Sequence, residues 1–348
     1  MTRILVTGGS GYIGQHLVSA LVARGRQVRV LDLRAPSRPL PDVQYRKGSV
    51  LDTVVVDDAM VGVDEVYHLA GLPGMWMPDK ADFHAVNCRG TEVVIAAARK
   101  LGIARFLHCS TESILFPSSS SEDAAAKAGP MTGDDMPGPY TRSKMLAEQI
   151  AMKAAASGFP VVIGCPTMPI GPHDHSVTPP TAMLRHFLHG RLHLYLDFIV
   201  NLVDVRDVGA GLVLAMERGQ VGHRYVLGGE CIALNEVLRL MADISGRRAL
   251  LVPVPGRVAE MVTAILELVA DHVTRRPPSG TVEGVRIALR ARALSIEKAQ
   301  RELGYAPRPV EPALRETIAQ LLAPAASAGD FVPAATPTYS TMSPESPV

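Results

Sequence analysis

The chain begins with the stretch that decides its fold, which reads Met1-Thr-Arg-Ile-Leu-Val-Thr-Gly8-Gly9-Ser10-Gly11-Tyr12-Ile13-Gly14. A short apolar run ends at glycines spaced by three, and an apolar pattern of helical period follows them. This order predicts a strand, a tight turn and a helix whose unpaired N-terminal N–H groups face whatever lies over the turn. Because glycines have no β-carbon, a diphosphate can approach that backbone closely, and the stretch predicts a dinucleotide site.

A second predicted strand, at residues 28–31, ends in Asp32. An acid about 20 residues beyond such glycines accepts a hydrogen bond from a ribose hydroxyl of NAD and repels the 2′-phosphate of NADP. Two residues later, Arg34 offers a cation that could accept that phosphate instead. The pattern favours NAD and does not exclude NADP.

The composition limits the possible functions. The 348 residues are 47% hydrophobic and 20% charged, with a formal net charge of +1, so no strong field attracts nucleic acid. The four cysteines form no Cys-x-x-Cys pair, which is typical of buried thiols in a reducing compartment, and we expect a cytoplasmic protein. The N-terminus runs directly into the first strand, so we expect no signal peptide.

One later stretch, residues 258–273, is strongly apolar but contains Glu260, Glu267 and Asp271. It is too short and too charged to span a bilayer, and its period predicts an amphipathic helix, either a lid over a substrate or part of the core. A role at a membrane surface is a further alternative, against which we count the three acids, because they would repel anionic lipid.

Strand patterns alternate with helix patterns through the first half of the chain, which predicts an α/β fold with a parallel sheet and right-handed crossovers. Predicted strands end just before Gly8, Ala70 and Thr111, and at Asp32. The carboxyl ends of parallel strands lie at one edge of a sheet, and ligands bind there. We therefore expect these four residues to lie around one site.

The predicted architecture is a Rossmann-type doubly wound sheet with a smaller, interleaved C-terminal substrate lobe. The nucleotide-binding core is expected at 1–165 and the lobe at 166–322, with segments of 201–228 returning to the core as strands. The residues at 118–138 predict a loop because they are rich in Ser, Ala, Gly and Pro. The tail at 323–348 lacks apolar periodicity and is expected to be disordered.

Tyr140 and Lys144 are four residues apart, so on a helix their side chains share one face. A phenol titrates near 10 and is a poor acid–base catalyst at neutral pH, whereas a neighbouring ammonium lowers its pKa. In a surface helix this pair would mean little, but here it follows the fifth strand of a dinucleotide fold. We predict that Tyr140 moves a proton and that Lys144 lowers its pKa.

These motifs together resemble an extended short-chain dehydrogenase/reductase over residues 1 to about 322. The matching pieces are Thr7 to Gly14, His68-Leu-Ala70, Asn87 with Gly90-Thr91, Ser110-Thr111, Tyr140-x-x-x-Lys144, and Pro166 through Pro172. Within that superfamily the chain is most similar to the dihydroflavonol-reductase-like branch, especially the group labelled hopanoid-associated sugar epimerases. Pro139 to Lys144, Thr167 to Pro172, Tyr225 to Glu230 and Glu302 to Arg308 carry this closer likeness.

The resemblance implies a role for each residue of the site. Tyr140 would be the acid/base, Lys144 would hold the nicotinamide ribose, Thr111 would bind the substrate oxygen, and Asn87 would support the active-site helix. The predicted cofactor-binding residues are Gly8, Ser10, Gly11, Tyr12, Ile13, Gly14, Asp32, Arg34, Leu69, Ala70, Gly71, Lys144 and Pro166. The predicted substrate-binding residues are Met75, Trp76, Glu112 and Thr167.

Three departures from the family pattern bear on the ligands. Gly48-Ser49 stands where many relatives carry Gly-Asp to bind adenine, with Asp52 three positions on. Glu112 is followed by Ser113, so the acidic pair with which dehydratases eliminate water is incomplete. Nucleotide-sugar relatives carry an Arg-Asp-aromatic run just before the strand that matches 202–205, but Asn201 stands here, so the expected diphosphate anchor is missing.

The expected substrate loop, residues 72–78, holds the only tryptophan between two methionines. Thioethers and an indole suit an apolar substrate, although the same residues also suit ordinary packing between lobes. His173-Asp174-His175 does not predict a metal site, because no second ligand cluster accompanies it. The helices that carry Thr91 and Tyr140 could pair across a two-fold axis, so a homodimer stays open.

The leading functional hypothesis is an NAD(P)-dependent reductase or dehydrogenase that interconverts a ketone and a secondary alcohol on a hydrophobic small molecule, such as a lipid, sterol-like or polyketide skeleton. The first alternative is a sugar epimerase or dehydratase that retains its NAD. The second is a non-catalytic dinucleotide sensor or scaffold, which the intact Thr111, Tyr140 and Lys144 disfavour.

Overall fold

A computed structural model of the chain describes residues 2–116, 132–190, 192–247 and 250–323. The predicted loop at 118–138 lies outside the described residues as far as residue 131. The predicted tail at 323–348 lies outside them from residue 324 onward.

Twelve strands form three sheets within the described residues. They are β1 (Arg3–Thr7), β2 (Gln27–Asp32), β3 (Gln44–Lys47), β4 (Glu65–His68), β5 (Arg105–Cys109), β6 (Val161–Pro166), β7 (Met168–Ile170), β8 (Leu192–Tyr195), β9 (Ile199–Asp204), β10 (Arg224–Leu227), β11 (Glu230–Ala233) and β12 (Leu250–Pro253).

The α-helices of the same ranges are α1 (Tyr12–Val22), α2 (Thr53–Met60), α3 (Ala81–Phe83), α4 (Gly90–Lys100), α5 (Pro139–Ala156), α6 (Pro179–His189), α7 (Val205–Arg218), α8 (Leu234–Ser245), α9 (Gly256–Val269), α10 (Val282–Arg290), α11 (Glu297–Leu303) and α12 (Val310–Leu322). Two π-helical segments, His84–Arg89 and Ala270–Thr274, continue α3 and α9, and short 3₁₀ turns occupy Glu112–Ile114 and Gly133–Asp135.

The main sheet has seven parallel strands in the order β10-β6-β5-β4-β1-β2-β3. The inner order is the doubly wound arrangement of dinucleotide-binding folds, so the predicted fold class is confirmed. In β1, Ile4 and Val6 join the apolar layer on one face and Leu5 joins the layer on the other, because side chains alternate along a strand. Both layers are buried, as strands of a parallel sheet require.

The prediction for one strand of the core is wrong. We expected residues 201–204 to return to the main sheet, but β9 pairs with β7 and β11 in a separate three-stranded sheet. The edge of β6 is already taken by β10, with Tyr225 opposite Gly164. After β9 the chain instead returns to the core as helix α7, whose Gly209 lies so close to α1 that a β-carbon there would be 3.1 Å from the Leu17 nitrogen.

The long helix predicted after β4 is interrupted by the π-helical segment His84–Arg89, which places Asn87 on a buried surface. Such segments hold an additional residue within a helix and occur mostly at functional sites. Across the described ranges, every helix is too short or too polar to cross a lipid bilayer.

Candidate active site

The glycine turn after β1 is held by contacts within the protein. Gly8 has a φ of +73°, and a β-carbon there would lie 2.6 Å from the Ala70 nitrogen. A β-carbon on Gly14 would lie 2.2 Å from the Gly8 oxygen, so these two glycines are needed for the turn itself. On Gly11 it would meet only that oxygen, at 3.2 Å. Gly11 is therefore the position at which the missing side chain leaves room beside the start of α1.

Asp32 ends β2 next to this turn and is held by two backbone N–H groups. Its carboxylate accepts from Ser10 N at 3.0 Å and from Arg34 N at 3.1 Å. The Ser10 hydroxyl is buried without a hydrogen-bond partner in the described residues. A carboxylate, an unpaired hydroxyl and a helix N-terminus at one strand edge fit the ribose and diphosphate of a dinucleotide. The Arg34 side chain is exposed.

The other predicted cofactor-binding residues lie along the same edge. Tyr12 is buried, its hydroxyl has no hydrogen-bond partner among the described residues, and Ile13 is half-buried at the start of α1. The half-buried residues that follow β4 are Leu69, Ala70 and Gly71. Pro166 ends β6 and is followed by Thr167, whose hydroxyl is buried without a partner among the described residues. The edge therefore offers several polar atoms that the chain does not use itself.

His68, at the end of β4, joins three elements of the core. Its ring nitrogens lie 2.7 Å from the Thr7 hydroxyl and 3.1 Å from the Thr91 hydroxyl, so it links β1 and β4 to α4. Burial lowers the pKa of His68 to about 3, so the ring is neutral. His68, the first residue of the His68-Leu-Ala70 motif, therefore has a structural function here.

Tyr140 lies at the second residue of α5 and is buried. Burial raises the pKa of Tyr140 to about 12, and a hydrogen bond from the Thr111 side chain opposes that rise. Thr111 follows β5 and is itself nearly buried, so the two hydroxyls meet at the sheet edge. This arrangement presents a protonated phenol next to a second hydroxyl.

Lys144 lies one turn further along α5, but its contact differs from the prediction. Its Nζ donates to the Cys109 carbonyl oxygen at 2.8 Å, and burial lowers the pKa of Lys144. We predicted that this ammonium would lower the pKa of Tyr140. Among the side chains of the structure, burial dominates and the pKa of the phenol rises, because desolvation disfavours the phenolate.

Asn87 connects the loop after β4 to α5. Its amide oxygen accepts from Leu72 N at 2.8 Å, and its amide nitrogen donates to the Ser143 hydroxyl at 2.8 Å. That hydroxyl donates to the Tyr140 carbonyl oxygen at 2.7 Å. The sequence motif contained Ser143 without assigning it a role, and the structure shows that it completes a chain of hydrogen bonds from the substrate loop to Tyr140.

Glu283 is a residue of the site that sequence reasoning missed. It comes from α10, far along the chain, and is 3% exposed. Its carboxylate accepts from Tyr140 N at 3.1 Å, from Thr141 N at 2.6 Å and from the Thr141 hydroxyl at 2.6 Å. Gly138 makes room for it, because a β-carbon there would lie 2.6 Å from the carboxyl carbon. Glu283 therefore caps the helix that carries the phenol.

Glu112 follows Thr111 in a short 3₁₀ turn and is half-buried. Burial raises the pKa of Glu112 to about 8. Perturbed carboxyl groups of this kind are typical of functional sites. The carboxyl is protonated over much of the neutral range and can serve as a hydrogen-bond donor.

The raised pKa of Glu112 predicts how stability depends on pH. The folded protein favours the protonated carboxyl. The stability that this preference contributes is fully present below the ordinary pKa of 4.5 and is lost as the pH rises to about 8. We expect Glu112→Gln, which is always neutral, to flatten the decline of Tm across that window. Differential scanning fluorimetry measures it, with Glu311→Gln on the surface as control. Parallel profiles for wild type and Glu112→Gln would contradict the assignment.

The predicted substrate loop is fastened to the C-terminal lobe. Trp76 is 6% exposed, and its Nε1 donates to Asp271 at 2.7 Å. Lys80 donates to the same carboxylate at 2.9 Å. The Met75 sulfur lies 4.0 Å from the Thr281 hydroxyl. The indole is therefore buried between the lobes, and of the two predicted substrate residues that lie in this loop Met75 is the more accessible.

Two of the departures from the family pattern have structural explanations. Asp52 caps α2 by accepting from Val54 N at 3.0 Å and Val55 N at 3.1 Å, which gives this acid a structural role. Asn201 is buried, accepts from Gly229 N at 2.9 Å and donates to the Cys231 sulfur at 3.0 Å. Its amide links β9 to β11 and is unavailable to a sugar diphosphate.

Comparisons with known proteins identify the family to which the chain belongs. Residues 4–228 match the model of the NAD dependent epimerase/dehydratase family. A Synechocystis protein provisionally named dihydroflavonol 4-reductase is 33% identical, covering 90% of this chain and 92% of that protein. A Stigmatella aurantiaca 4-hydroxy-2-methyl-3-oxo-4-farnesyl-3,4-dihydroquinoline-1-oxide ketoreductase is 32% identical, covering 88% of this chain and 92% of that protein.

A structural comparison supports the fold. The Thermus thermophilus UDP-glucose 4-epimerase in complex with NAD superposes with a TM-score of 0.71 at 23% identity, covering 92% of this chain and 99% of that one. The glycine turn, Asp32 and the polar strand edge fit the cofactor named in the family's description. The chain therefore belongs to the NAD-dependent epimerase/dehydratase family of extended short-chain dehydrogenases/reductases and is an NAD(P)-dependent oxidoreductase acting on CH–OH groups.

Proposed function

We propose that the protein reduces a ketone to a secondary alcohol, or runs the reverse reaction, on a hydrophobic small molecule, with Tyr140 as the acid/base. The observation that carries the proposal is the buried pair of Thr111 and Tyr140. The phenol is protonated at neutral pH, and burial raises its pKa further, from the ordinary value of 10.0 to about 12. A protonated phenol is the acid that carbonyl reduction needs.

The reduced nicotinamide supplies a hydride to the carbonyl carbon when it is bound. The protein does the rest of the chemistry at the carbonyl oxygen. Thr111 holds that oxygen by a hydrogen bond, and Tyr140 gives its proton as the oxygen gains negative charge. The Lys144 ammonium, which donates to the Cys109 carbonyl oxygen in the structure, would stabilise the resulting phenolate and would hold the ribose of a bound cofactor, and the phenolate would regain its proton from water.

Three observations support an apolar substrate. Met75, which carries a pliable thioether, is half-buried in the loop that follows β4. Asn201 stands where a cation would hold a sugar diphosphate, and its amide is used within the protein. The ketoreductase relative is named for a substrate that carries a farnesyl chain. On these grounds the reductase is favoured over a nucleotide-sugar epimerase.

The first test separates these two activities. The purified protein is denatured, and the released small molecules are analysed by absorbance and mass spectrometry, because an epimerase retains its NAD. The same preparation is assayed with hydrophobic ketones and NADH or NADPH, and with UDP-glucose. We expect an empty protein that oxidises NADH in the presence of ketones. Tightly retained NAD together with turnover of UDP-glucose would contradict the proposal.

A second test concerns cofactor choice. We expect Asp32→Ala to lower the ratio of kcat/KM for the NAD form over the NADP form by roughly 10- to 100-fold, because a hydrogen bond to a charged group is worth about 1.5–3 kcal/mol. Asp52→Ala is the matched control, since this carboxylate also accepts two backbone N–H bonds, but at the start of α2. If this ratio were equal in the Asp32 variant and wild type, Asp32 would not be the residue that distinguishes the ribose of NAD from that of NADP.

A further inference from the structure

The outer face of α9 and the π-helical segment after it is apolar, and no other part of the described residues covers it. Seven large apolar side chains within 258–273 are exposed, and among them Met261 is 61% exposed, Ile265 57%, Leu268 60% and Val273 75%. The seven are Val258, Met261, Val262, Ile265, Leu268, Val269 and Val273. Their spacing of three and four residues places them on one side of the helix. We call these seven residues the α9 face.

The three acids of this stretch do not lie on that face. Glu260 pairs with Arg286 at 2.6 Å, and Glu267 accepts from Val282 N at 3.2 Å, both on α10. Asp271 holds Trp76 and Lys80. Sequence reasoning counted these acids against contact with anionic lipid, but in the structure each is directed to a partner within the protein.

The charged residues that border the α9 face are cations. Arg257 lies at its N-terminal end, and Arg275 and Arg276 lie at its C-terminal end, all exposed. None of the three forms an ion pair within the described residues. An apolar strip with arginines at both ends is complementary to a surface that has acyl chains beneath negatively charged phosphates.

The same arginines disfavour a second copy of the chain on this face. An isologous pair brings the same patch of both molecules together across a two-fold axis. With the helices antiparallel, Arg257 of each copy would lie near Arg275 and Arg276 of the other, and with them parallel each cation would face its own equivalent. Like charges meet in both arrangements, at a cost to association.

Hydrogen bonds link the elements behind the α9 face to the substrate loop and to the helix that carries Tyr140. Asp271, on the inner side of the π-helical segment, fastens the loop that carries Trp76. The neighbouring α10 carries Glu283, which caps the helix of Tyr140. Only α9 and the π-helical segment after it therefore separate the substrate loop from a surface that binds the α9 face.

We propose that the α9 face lies in the headgroup region of an anionic phospholipid bilayer, with the helix axis parallel to the membrane plane and the arginines on the phosphates. The protein then binds to the membrane surface without spanning it, and the substrate loop lies directly behind the bound helix, next to Asp271. Lipid-dissolved substrate would enter from this side, and that last part rests on the proposed reductase function. Binding of the face to the bilayer does not depend on it.

The test uses the full chain and sedimentation with vesicles of phosphatidylcholine alone or mixed with phosphatidylglycerol. We expect binding to the mixed vesicles that weakens with added salt. The variant Met261→Asp/Ile265→Asp should bind about tenfold less or worse, since charged side chains are then placed among the acyl chains. The control is Val54→Asp/Val61→Asp, which makes the same change at two exposed apolar residues of the α2 region, 76% and 61% exposed. It should bind as wild type does.

Each further outcome decides the proposal. Wild type that does not sediment with anionic vesicles overturns it, as does equal binding by the Met261/Ile265 variant and the control. Sedimentation velocity without lipid tests the second copy: a dimer that the same variant dissociates, with no lipid binding, assigns the face to self-association. Scanning fluorimetry confirms that the variants fold. Vesicle binding is measured without substrate, so failure to reduce ketones would overturn the proposed function and leave this result standing.

Discussion

Replacing Tyr140 with phenylalanine is expected to lower kcat by about 10²- to 10⁴-fold, the usual contribution of a positioned proton donor. The ring can stay in place, because it is buried and packs edge-on against Phe83, with the ring centres 6.1 Å apart. Only the hydroxyl that hydrogen-bonds Thr111 is lost. NAD affinity should remain within a few-fold of wild type, because the glycine turn and Asp32 are untouched.

Steady-state kinetics with a hydrophobic ketone and calorimetric titration with NAD check the two parts of this prediction. Tyr45→Phe is the matched control, since its hydroxyl accepts from Leu40 N at 3.0 Å near β3. It should keep nearly full activity. A Tyr140→Phe enzyme that turns over at a near-normal rate would remove Tyr140 from the mechanism.

Replacing Glu283 with alanine is expected to be the second largest change. Two backbone N–H groups and the Thr141 hydroxyl lose a buried, charged acceptor, so we expect the free energy of unfolding to fall by about 3 kcal/mol. The start of α5 then loosens around Tyr140, and a displacement of this kind lowers kcat by roughly 10²-fold. Thermal and urea unfolding, with kinetics on the folded fraction, measure both effects.

The change to glutamine separates position from charge. Glu283→Gln keeps the length of the side chain, but its amide NH₂ must face one of the donors. We therefore expect Tm and kcat to lie between those of Glu283→Ala and wild type. Glu311→Ala is the surface control: its carboxylate pairs with Arg315 on exposed α12 and should matter by less than about 0.5 kcal/mol. If Glu283→Ala had the same kcat as that control, the cap would not position the phenol.

Local patterns in the sequence were enough to predict the glycine turn and the strand edge. Gly14 is required by its contact with Gly8, and Gly8 by its contact with Ala70 after the neighbouring strand β4. Asp32 is the last residue of the predicted second strand. Tyr140 and Lys144 share a helix face because helical spacing alone determines it. The parallel, doubly wound sheet followed from the alternation of strand and helix patterns, but the order of its seven strands was not predicted.

Contacts between distant segments could not be predicted in the same way. Glu283 acts on a helix that begins 144 residues earlier, at Pro139, and nothing in its own neighbourhood marks it as a cap. β9 was assigned to the wrong sheet because an apolar strand fits either sheet, and only the occupied edge of β6 excludes it from the core. The directions of Glu260 and Asp271 likewise depend on partners elsewhere in the chain.

The pKa of Tyr140 shows a different limit of prediction from sequence. The sequence shows the cation beside the phenol but not how deeply the phenol is buried. Desolvation acts on the whole side chain, whereas Lys144 donates to the Cys109 carbonyl. A spacing rule predicts neighbours, and only the packed structure shows which effect dominates.

The π-helical segment His84–Arg89 has a consequence for how the site tolerates change in length. Its turns are wider than those of an α-helix by one residue, and that residue lets Asn87 face Leu72 and Ser143 together. Deleting one residue there would restore regular helical winding, so the residues of the wide turn, Asn87 among them, would rotate around the axis away from these partners. The segment can therefore accept substitutions on its exposed side, but it cannot be shortened, and its length is as much a part of the site as the identity of Asn87.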